Sequence, residues 1–284
     1  MASTMHRAGR SGLERSCAQP HDWFRIDASR AGFERAEVCL ATRGFAPHRH
    51  DTYTIGITLH GVQRFEYRGA QAHSEPGQAF VLHPDELHDG RPGTGDGLHY
   101  RTLYIEPRLI QEALGAPCLP FVRRAVTDDA RLRAAIVSAL EDPGVAVGDL
   151  HLDHSLVQLA EALAALDRSA RRLQAERTNM RAVTAAREFL DANLPAAVAS
   201  VTLERITGLS RFALTRHFRA GLGTSPHRYV VMRRLDRARR LIRAGTPLAE
   251  AAAASGFADQ SHMTRHFKKA YGVSPARWSA LARA

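Results

Sequence analysis

The strongest constraint on the fold of this chain is an internal duplication in its last third. Thr215–Phe218 recurs 49 residues later as Thr264–Phe267, with all four residues identical, and Gly223–Pro226 recurs at the same offset as Gly272–Pro275. A segment repeated at a fixed offset is typical of one supersecondary unit that is present twice. The duplication therefore predicts two copies of a single helical motif.

Each copy has the pattern of a helix, a tight turn and a second helix. In the first copy Gly208 permits the turn and Ser210 caps the second helix, and in the second copy Gly256 and Asp259 take these places. The predicted helices run from a Thr202 cap to Ile206 and from Arg211 to Ala220, then from Leu248 to Ser255 and from Gln260 to Ala270. This arrangement is the helix-turn-helix, whose later helix enters the major groove of DNA.

The two later helices each have one apolar and one polar face. Residues four apart share a face, so Leu214 and Phe218, and likewise Met263 and Phe267, are expected to point inward. The opposite faces carry the predicted DNA-binding residues: Phe212, Thr215, Arg216 and Arg219, then Gln260, Ser261, His262, Arg265 and Lys268. Arg can bind guanine, Gln can bind adenine, and Thr or an aromatic ring can contact a thymine methyl group. Arg219 and Lys268, which come later in their helices, are expected to reach phosphates.

A long helical segment joins the two copies. The 19 residues Pro226–Ala244 would span about 28 Å, which can set two recognition helices roughly one DNA turn, or ~34 Å, apart. Residues 181–284 hold 18 Lys and Arg against 6 Asp and Glu, whereas the whole chain has a net charge of +10. The arginines of the segment are expected to divide between phosphate contacts and plain solvation: Arg233, Arg234, Arg237, Arg239 and Arg240. One chain is thus predicted to read two adjacent major-groove segments.

The front half of the chain has the pattern of an antiparallel β structure. Short β-like runs are separated by Gly and Pro, a spacing that favours a barrel or sandwich over alternating strands and helices. The predicted strands are Phe33–Thr42, Tyr53–His60, Val62–Tyr67, Gln78–His83 and His99–Ile105. After Pro107 the pattern becomes helical, with predicted helices at Asp128–Glu141 and Asp149–Gln174.

The second of these helices carries a seam of leucines at intervals of 4, 3, 4 and 3 residues: Leu152, Leu156, Leu159, Leu163 and Leu166. Such a seam is typical of a helix that packs against another helix. We expect it to form a homodimer; the alternative is that it covers the β domain of its own chain.

These patterns define a multi-domain α+β chain. The predicted units are a flexible arm (1–22), an antiparallel β-barrel (23–106), a helical dimerisation segment (107–167), a linker (168–179) and an all-α DNA-binding domain (180–284). The sequence has no apolar run of about 18 residues and no leader-like apolar stretch at its start, so we expect no membrane span and no export. Three widely spaced cysteines, Cys17, Cys39 and Cys118, suggest no disulfide framework. The expected location is the cytoplasm.

Residues from about Thr178 to Trp278 resemble the AraC/XylS family of bacterial transcription regulators. The resemblance rests on the paired motifs, on Arg234–Ala238 in the connecting helix, and on three segments of the second copy: Gly256–Ser261, Phe267–Lys269 and Gly272–Pro275. It implies base contacts from Phe212, Thr215, Arg216, Gln260, Ser261, His262 and Arg265, the residues that the face analysis exposes.

The front half is similar to the cupin-like effector domain of many members of that family, through His48–His50, Gly61, Gly77 and Pro84–His88. Two residues apart on a strand, His48 and His50 can point into a barrel together with His88, and with Glu86 or His83. These five side chains are the predicted effector-binding residues. They could instead hold a metal ion or serve the fold alone. Metal cupins usually add a glutamate four residues after the second histidine, where this chain has Thr54, so we predict neither a metal nor a cofactor.

The leading hypothesis is a sequence-specific DNA-binding regulator whose β domain senses a small molecule. Its expected partners are double-stranded DNA, the effector, a second copy of the chain and, as a further candidate, RNA polymerase. The alternative, a metal-dependent cupin enzyme fused to a DNA-targeting module, is disfavoured because the carboxylate ligand and any nucleophile–base arrangement are missing. Non-specific nucleic-acid packaging would leave the duplication unexplained.

Overall fold

The computed structural model describes residues 22–117, 119–140, 148–167 and 178–282. Nearly all of the arm predicted at 1–22 and most of the linker predicted at 168–179 lie outside these ranges. No helix in the described ranges is both long enough and apolar enough to cross a membrane.

The first domain is built from two antiparallel sheets. In the described part of the chain one sheet has six strands in the order β1-β2-β9-β4-β7-β10, and the other has four in the order β3-β8-β5-β6. The strands are β1 Trp23–Arg30, β2 Phe33–Leu40, β3 Phe45–His48, β4 Tyr53–Gly61, β5 Gln63–Tyr67, β6 Ala70–Ser74, β7 Ala79–Leu82, β8 His88–Pro92, β9 Leu98–Ile105 and β10 Val126–Thr127. The predicted fold class is confirmed, although the two sheets do not close into one barrel.

Both faces of the six-stranded sheet are buried, and successive side chains along each strand point to opposite faces. Ile55 and Ile57 of β4 pack with the helices that follow the sheets, whereas Phe80 and Tyr100, on the other face, join a core with Phe65 of the four-stranded sheet. The space between the two sheets is therefore the interior of the first domain. The sequence pattern misses β1, β3, β6 and β8. The last three are short and have almost no large apolar residue, and β1 has only three, Trp23, Phe24 and Ile26.

Three helices cover the outer face of the six-stranded sheet: α1 Pro107–Leu114, α2 Ala130–Ala139 and α3 Asp149–Leu166. The leucine seam lies on α3, where Leu152, Leu156, Leu159 and Leu163 are buried against the other two helices and the sheet, with Leu166 partly buried beside them. The expectation that these leucines join two chains is therefore wrong. A single-chain sheet with one bare apolar face requires such a cover, and α3 supplies it.

The second domain contains both predicted helix-turn-helix motifs. Its helices are α4 Met180–Ala192, α5 Ser200–Thr207, α6 Arg211–Leu222, α7 Pro226–Arg243, α8 Leu248–Ala254, α9 Gln260–Tyr271 and α10 Pro275–Leu281. Gly208 and Gly256 have φ angles of 69° and 84°, left-handed values that glycine adopts without strain. Ser210 and Asp259 accept hydrogen bonds from the backbone at the starts of α6 and α9, as predicted. The predicted Thr202 cap is wrong, because α5 begins at Ser200.

The two domains pack closely against each other. Trp278 of α10 contacts Phe24 of β1 with ring centroids 5.9 Å apart, so the second helix-turn-helix core is continuous with the sandwich interior. Gln111 of α1 donates a 2.6 Å hydrogen bond to the carbonyl of Gly221, near the C-terminal end of α6. At the C-terminal end of α9, the carbonyl of Gly272 accepts a 3.2 Å hydrogen bond from the amide of Ala46. Helices α6 and α9 thus both end against the first domain.

Cys39 of β2 is disulfide-bonded, which the spacing of the cysteines did not predict. The other two cysteines of the chain, Cys17 and Cys118, lie outside the described residues.

Candidate functional site

A cavity of about 540 Å³ lies between the two sheets and is walled by both domains. The first domain contributes inward-facing side chains of its strands, including Phe80 and Tyr100. The second domain contributes Met232 and Arg233 of α7, and Trp278 of α10. A cavity of this size is in the range of small-molecule sites. Its position means that a bound molecule would touch the strands and the connecting helix of the DNA-binding domain together.

The cavity wall combines apolar and charged surface. The apolar part is formed by side chains that include Phe24, Ile26, Val38, Phe45 and Leu82. Arg240 and Arg243 of α7 also line the cavity and are exposed to solvent. The wall can therefore accommodate a molecule that has an apolar body and a polar or anionic group.

Three of the five predicted effector residues meet in the cavity wall. The ring nitrogens of His48, His50 and His88 come within 4.8 Å of one another, and the ring centroid of His88 lies 4.4 Å from that of His48 and 4.9 Å from that of His50. Strand pairing explains the meeting, because His48 of β3 is directly opposite His88 of β8. Burial and the neighbouring imidazole lower the pKa of each of the three to about 3, so all three are neutral near pH 7.

The other two predicted effector residues do not reach the cavity. His83 is buried beside Tyr67, whose hydroxyl lies 3.0 Å from its Nδ1, and its Nε2 accepts a 3.0 Å hydrogen bond from the Val122 amide. Glu86 forms an ion pair with Arg68 at 2.6 Å. Adjacent residues on a strand face opposite ways, and His83 follows the inward-facing Leu82, so it is turned towards the chain that precedes α2.

Gln63 is a cavity residue that the sequence analysis misses. It lies on β5 and is 6% exposed, and its Oε1 has no hydrogen-bond partner among the described residues. A buried amide oxygen is seldom left without a partner, so Gln63 is available to a molecule in the cavity. No motif marks it, and only the inward alternation of β5 could have indicated it.

Arginines of α7 close the domain interface by pairing with acids of the first domain. Arg233 contacts Asp51 at 2.9 Å and also pairs with Glu106, while Arg239 binds Glu34 at 2.6 Å. Burial raises the pKa of Asp51 to about 6, in spite of the attraction of Arg233. These ion pairs join the wall of the cavity to the connecting helix.

The structure divides the five connecting-helix arginines differently from the sequence prediction. Arg233 and Arg239 are largely buried against the first domain and are not presented to phosphates. Arg234 donates to the carbonyls of Leu194 and Ala196, in the turn that follows α4. Arg237 and Arg240 are exposed.

The predicted DNA-binding residues lie on the outer faces of α6 and α9. Seven of them are exposed to solvent: Phe212, Arg216, Arg219, Gln260, Ser261, Arg265 and Lys268. Two are half-buried. The Thr215 hydroxyl donates to the Arg211 carbonyl at 2.8 Å, and His262 lies with its Nε2 3.0 Å from that of His266. Their inward counterparts Phe218 and Phe267 are fully buried, as predicted.

Comparison with known families matches most of the chain in two parts. Residues 30–183 match the AraC-like ligand binding domain, and residues 203–280 match a helix-turn-helix domain. The HTH-type transcriptional regulator YbfI of Bacillus subtilis (strain 168) is 26% identical over 227 residues, which cover 77% of this chain and 81% of YbfI.

Solved structures with a similar fold include ToxT from Vibrio cholerae. A 1.65 Å structure of ToxT has a TM-score of 0.64 at 12% identity and covers 88% of this chain and 98% of that chain. ToxT bound to (E)-4-(8-methylnaphthalen-1-yl)but-3-enoic acid also has a TM-score of 0.64 at 12% identity, covering 92% of this chain and 99% of that chain. ToxT bound to an unsaturated fatty acid has a TM-score of 0.55 at 11% identity, covering 92% and 94%. The likeness extends over both domains.

Proposed function

The chain belongs to the AraC family, with an AraC-like ligand-binding domain followed by a helix-turn-helix DNA-binding domain, and from this we propose how it works as a ligand-responsive transcription regulator. The cavity between the sheets is the effector site. An effector bound there changes how the two recognition helices are held, and so changes affinity for the operator DNA. In this proposal the effector changes the arrangement of the two domains, and no catalytic step is involved.

The observation that carries this proposal is that one cavity is walled by both domains. Arg233 lines the cavity and at the same time pairs with Asp51 and Glu106 across the interface. A molecule in the cavity therefore contacts groups that hold the two domains together. Since a ligand shifts an equilibrium only by its difference in affinity for the two states, an effector must contact a surface that changes between them, and this wall is such a surface.

The effector that best fits the cavity is a small organic acid with an apolar body. Its apolar part would pack on Phe24, Val38 and Leu82, and its carboxylate would face Arg240 and Arg243. Two ToxT structures hold ligands of this class, a naphthalenyl butenoic acid and an unsaturated fatty acid. The predicted Glu86 and His83 take no part in the site.

The nine predicted residues of α6 and α9 contact DNA. Arg216 and Arg265 occupy equivalent positions in the two copies and read base edges in successive major-groove segments, together with Phe212, Thr215, Gln260, Ser261 and His262. Arg219 and Lys268 bind phosphates.

Two further partners belong to this proposal, a second copy of the chain and RNA polymerase. A homodimer would use the outer side of α3, where Leu150 is 87% and Val157 38% exposed, and not the buried leucine seam. RNA polymerase is a candidate partner of the DNA-bound form, and the working location is the cytoplasm.

Selection of bound DNA from a random pool with the full-length chain tests the proposed function. We expect enrichment of a defined site with two conserved segments about one helical turn apart. Recovery of DNA without any shared sequence would contradict a sequence-specific regulator and favour non-specific packaging.

Lys268→Ala should weaken binding to all DNA sequences alike. The side chain is exposed near the end of α9, where it is placed to neutralise one phosphate. We expect the slope of log affinity against log salt to fall by about 1, with no change in the preferred site. Binding assays at several salt concentrations measure this, with Arg131→Ala, an exposed arginine of α2, as a control that should leave the slope unchanged. A changed site preference in Lys268→Ala would assign this lysine to base reading instead.

A further inference from the structure

Three histidines of the cavity wall are arranged as donors to one metal ion. We propose that His48, His50 and His88 bind a divalent transition metal such as Zn²⁺, and that its occupancy is coupled to the position of α9, the second recognition helix. One ring nitrogen of each histidine lies within 4.8 Å of those of the other two, so a small inward movement of the rings would bring all three to a shared ion.

Hydrogen bonds select the ring tautomer that a metal requires. The Nδ1 atoms of His48, His50 and His88 lie 2.8, 3.1 and 2.9 Å from the backbone carbonyls of Ala46, Thr52 and Glu86. A carbonyl only accepts, so each neutral ring carries its proton on Nδ1 and leaves Nε2 with a lone pair. A histidine ligand whose other nitrogen donates to a carbonyl is the usual arrangement around a bound metal.

The composition of the cluster indicates the class of metal. Three imidazoles and no carboxylate suit Zn²⁺, Ni²⁺, Cu²⁺ or Fe²⁺ and not Mg²⁺ or Ca²⁺, which prefer oxygen. The Thr54 hydroxyl lies 3.0 Å from the Nε2 of His50, so it would have to turn away when a metal binds. Because all three ligands line the cavity, the fourth coordination position is open to a donor atom of water or of a cavity ligand.

Backbone contacts connect one of these ligands to α9. The amide of Ala46 donates to the carbonyl of Gly272 at 3.2 Å, and the amide of Arg49 donates to the carbonyl of Lys269 at 3.0 Å. The short segment 46–49 that carries His48 is thus hydrogen-bonded on both sides of this histidine to the C-terminal end of α9. A metal that holds His48 against His50 and His88 fixes this segment, and with it the docking of α9.

The glycine that ends α9 makes this contact close. A Cβ atom on Gly272 would lie 2.7 Å from the Ala46 carbonyl oxygen and 2.9 Å from the Nδ1 of His48. Gly223 ends α6 with nearly the same backbone, φ 71° against 68°, but a Cβ there would meet Pro84 and not a metal ligand. The two glycines therefore provide a matched pair of variants that carry the same left-handed strain.

The test is a titration of the full-length chain with Zn²⁺, and with Co²⁺ followed by its visible absorption. We expect one ion per chain in the wild type and a loss of affinity of at least about 100-fold in His88→Gln. Binding that persists in His88→Gln, or no binding in the wild type, would overturn the metal site. If His88→Gln fails to fold, the Co²⁺ spectrum of the wild type still tests the site. Nitrogen ligands alter the visible absorption of Co²⁺ relative to that of the hydrated ion, and an unaltered spectrum would overturn the metal site.

The coupling has its own readouts. Metal should slow hydrogen exchange at the amides of Ala46 and Arg49, and Gly272→Ala should weaken metal binding about 10-fold or more, with Gly223→Ala within about 3-fold of wild type. Equal effects of the two glycine variants, or exchange at both amides that metal leaves unchanged, would overturn the coupling. The titrations contain no DNA, so their outcome is separate from that of the DNA selection.

Discussion

Arg233→Met should destabilise the protein by about 3–5 kcal/mol, because it leaves buried carboxylates without their counter-charge. Arg233 is 16% exposed and contacts Asp51, Glu106 and Asp236, which are 4%, 14% and 22% exposed. Methionine retains the unbranched apolar part of the side chain and removes the guanidinium, which pairs with the carboxylates and lies over the Tyr229 ring at 5.4 Å, so the loss reports the guanidinium. Equilibrium unfolding in urea measures the change in the free energy of unfolding.

Two further variants assign this loss to the interface. Arg237→Met, on the same helix but exposed, should change stability by no more than about 0.5 kcal/mol. Adding Asp51→Asn and Glu106→Gln to Arg233→Met should recover much of the loss, since neutral partners need no counter-charge. If Arg233→Met were no more costly than Arg237→Met, the ion pairs would not hold the domains together.

Replacing both Arg216 and Arg265 with alanine should nearly abolish selective DNA binding. Each single change is expected to cost about 1–3 kcal/mol, or about 5- to 150-fold in affinity, and to relax preference at one base pair. The two side chains are exposed on separate recognition helices, so the costs should add to about 2–6 kcal/mol. Titration of the selected DNA and of single-base variants of it measures both quantities.

The comparison with Lys268→Ala separates base reading from charge. All three substitutions remove one positive charge, but only the arginine variants should lose the difference between the selected DNA and a scrambled sequence. Unchanged site preference in both Arg216→Ala and Arg265→Ala would mean that these two residues do not read bases. The base contacts would then have to come from their neighbours on α6 and α9.

Local signals were sufficient to predict most of the second domain. The duplication, the turn glycines Gly208 and Gly256 and the caps Ser210 and Asp259 act within a few residues of the helices they define. The buried faces of α6 and α9 follow from helical periodicity for the same reason. The strands of the first domain were less predictable, because β3 and β8 have no apolar alternation and are specified by pairing with distant strands.

All three histidines of the cluster were among the residues predicted from the sequence. The spacing of His48 and His50 and the resemblance that singled out His88 indicated them, and the structure shows that strand pairing sets His48 opposite His88. The same reasoning wrongly included His83 and Glu86, because the side to which a residue turns at the end of a strand depends on how the strand pairs. Gln63 was missed altogether, since no motif marks it and only its alternation with Phe65 and Tyr67 along β5 places it on the inward face.

The sequence by itself determined that this chain carries two helix-turn-helix motifs behind an antiparallel β domain, because caps, turns and periodicity are properties of short segments. Tertiary structure alone decided where the leucine seam and the connecting-helix arginines are buried. Arg233 and Asp51 are 182 residues apart and meet only once both domains have folded and docked. The sequence shows that a buried charge must be paired and that an apolar face must be covered. Which group pairs with it or covers it depends on the packing of the whole molecule.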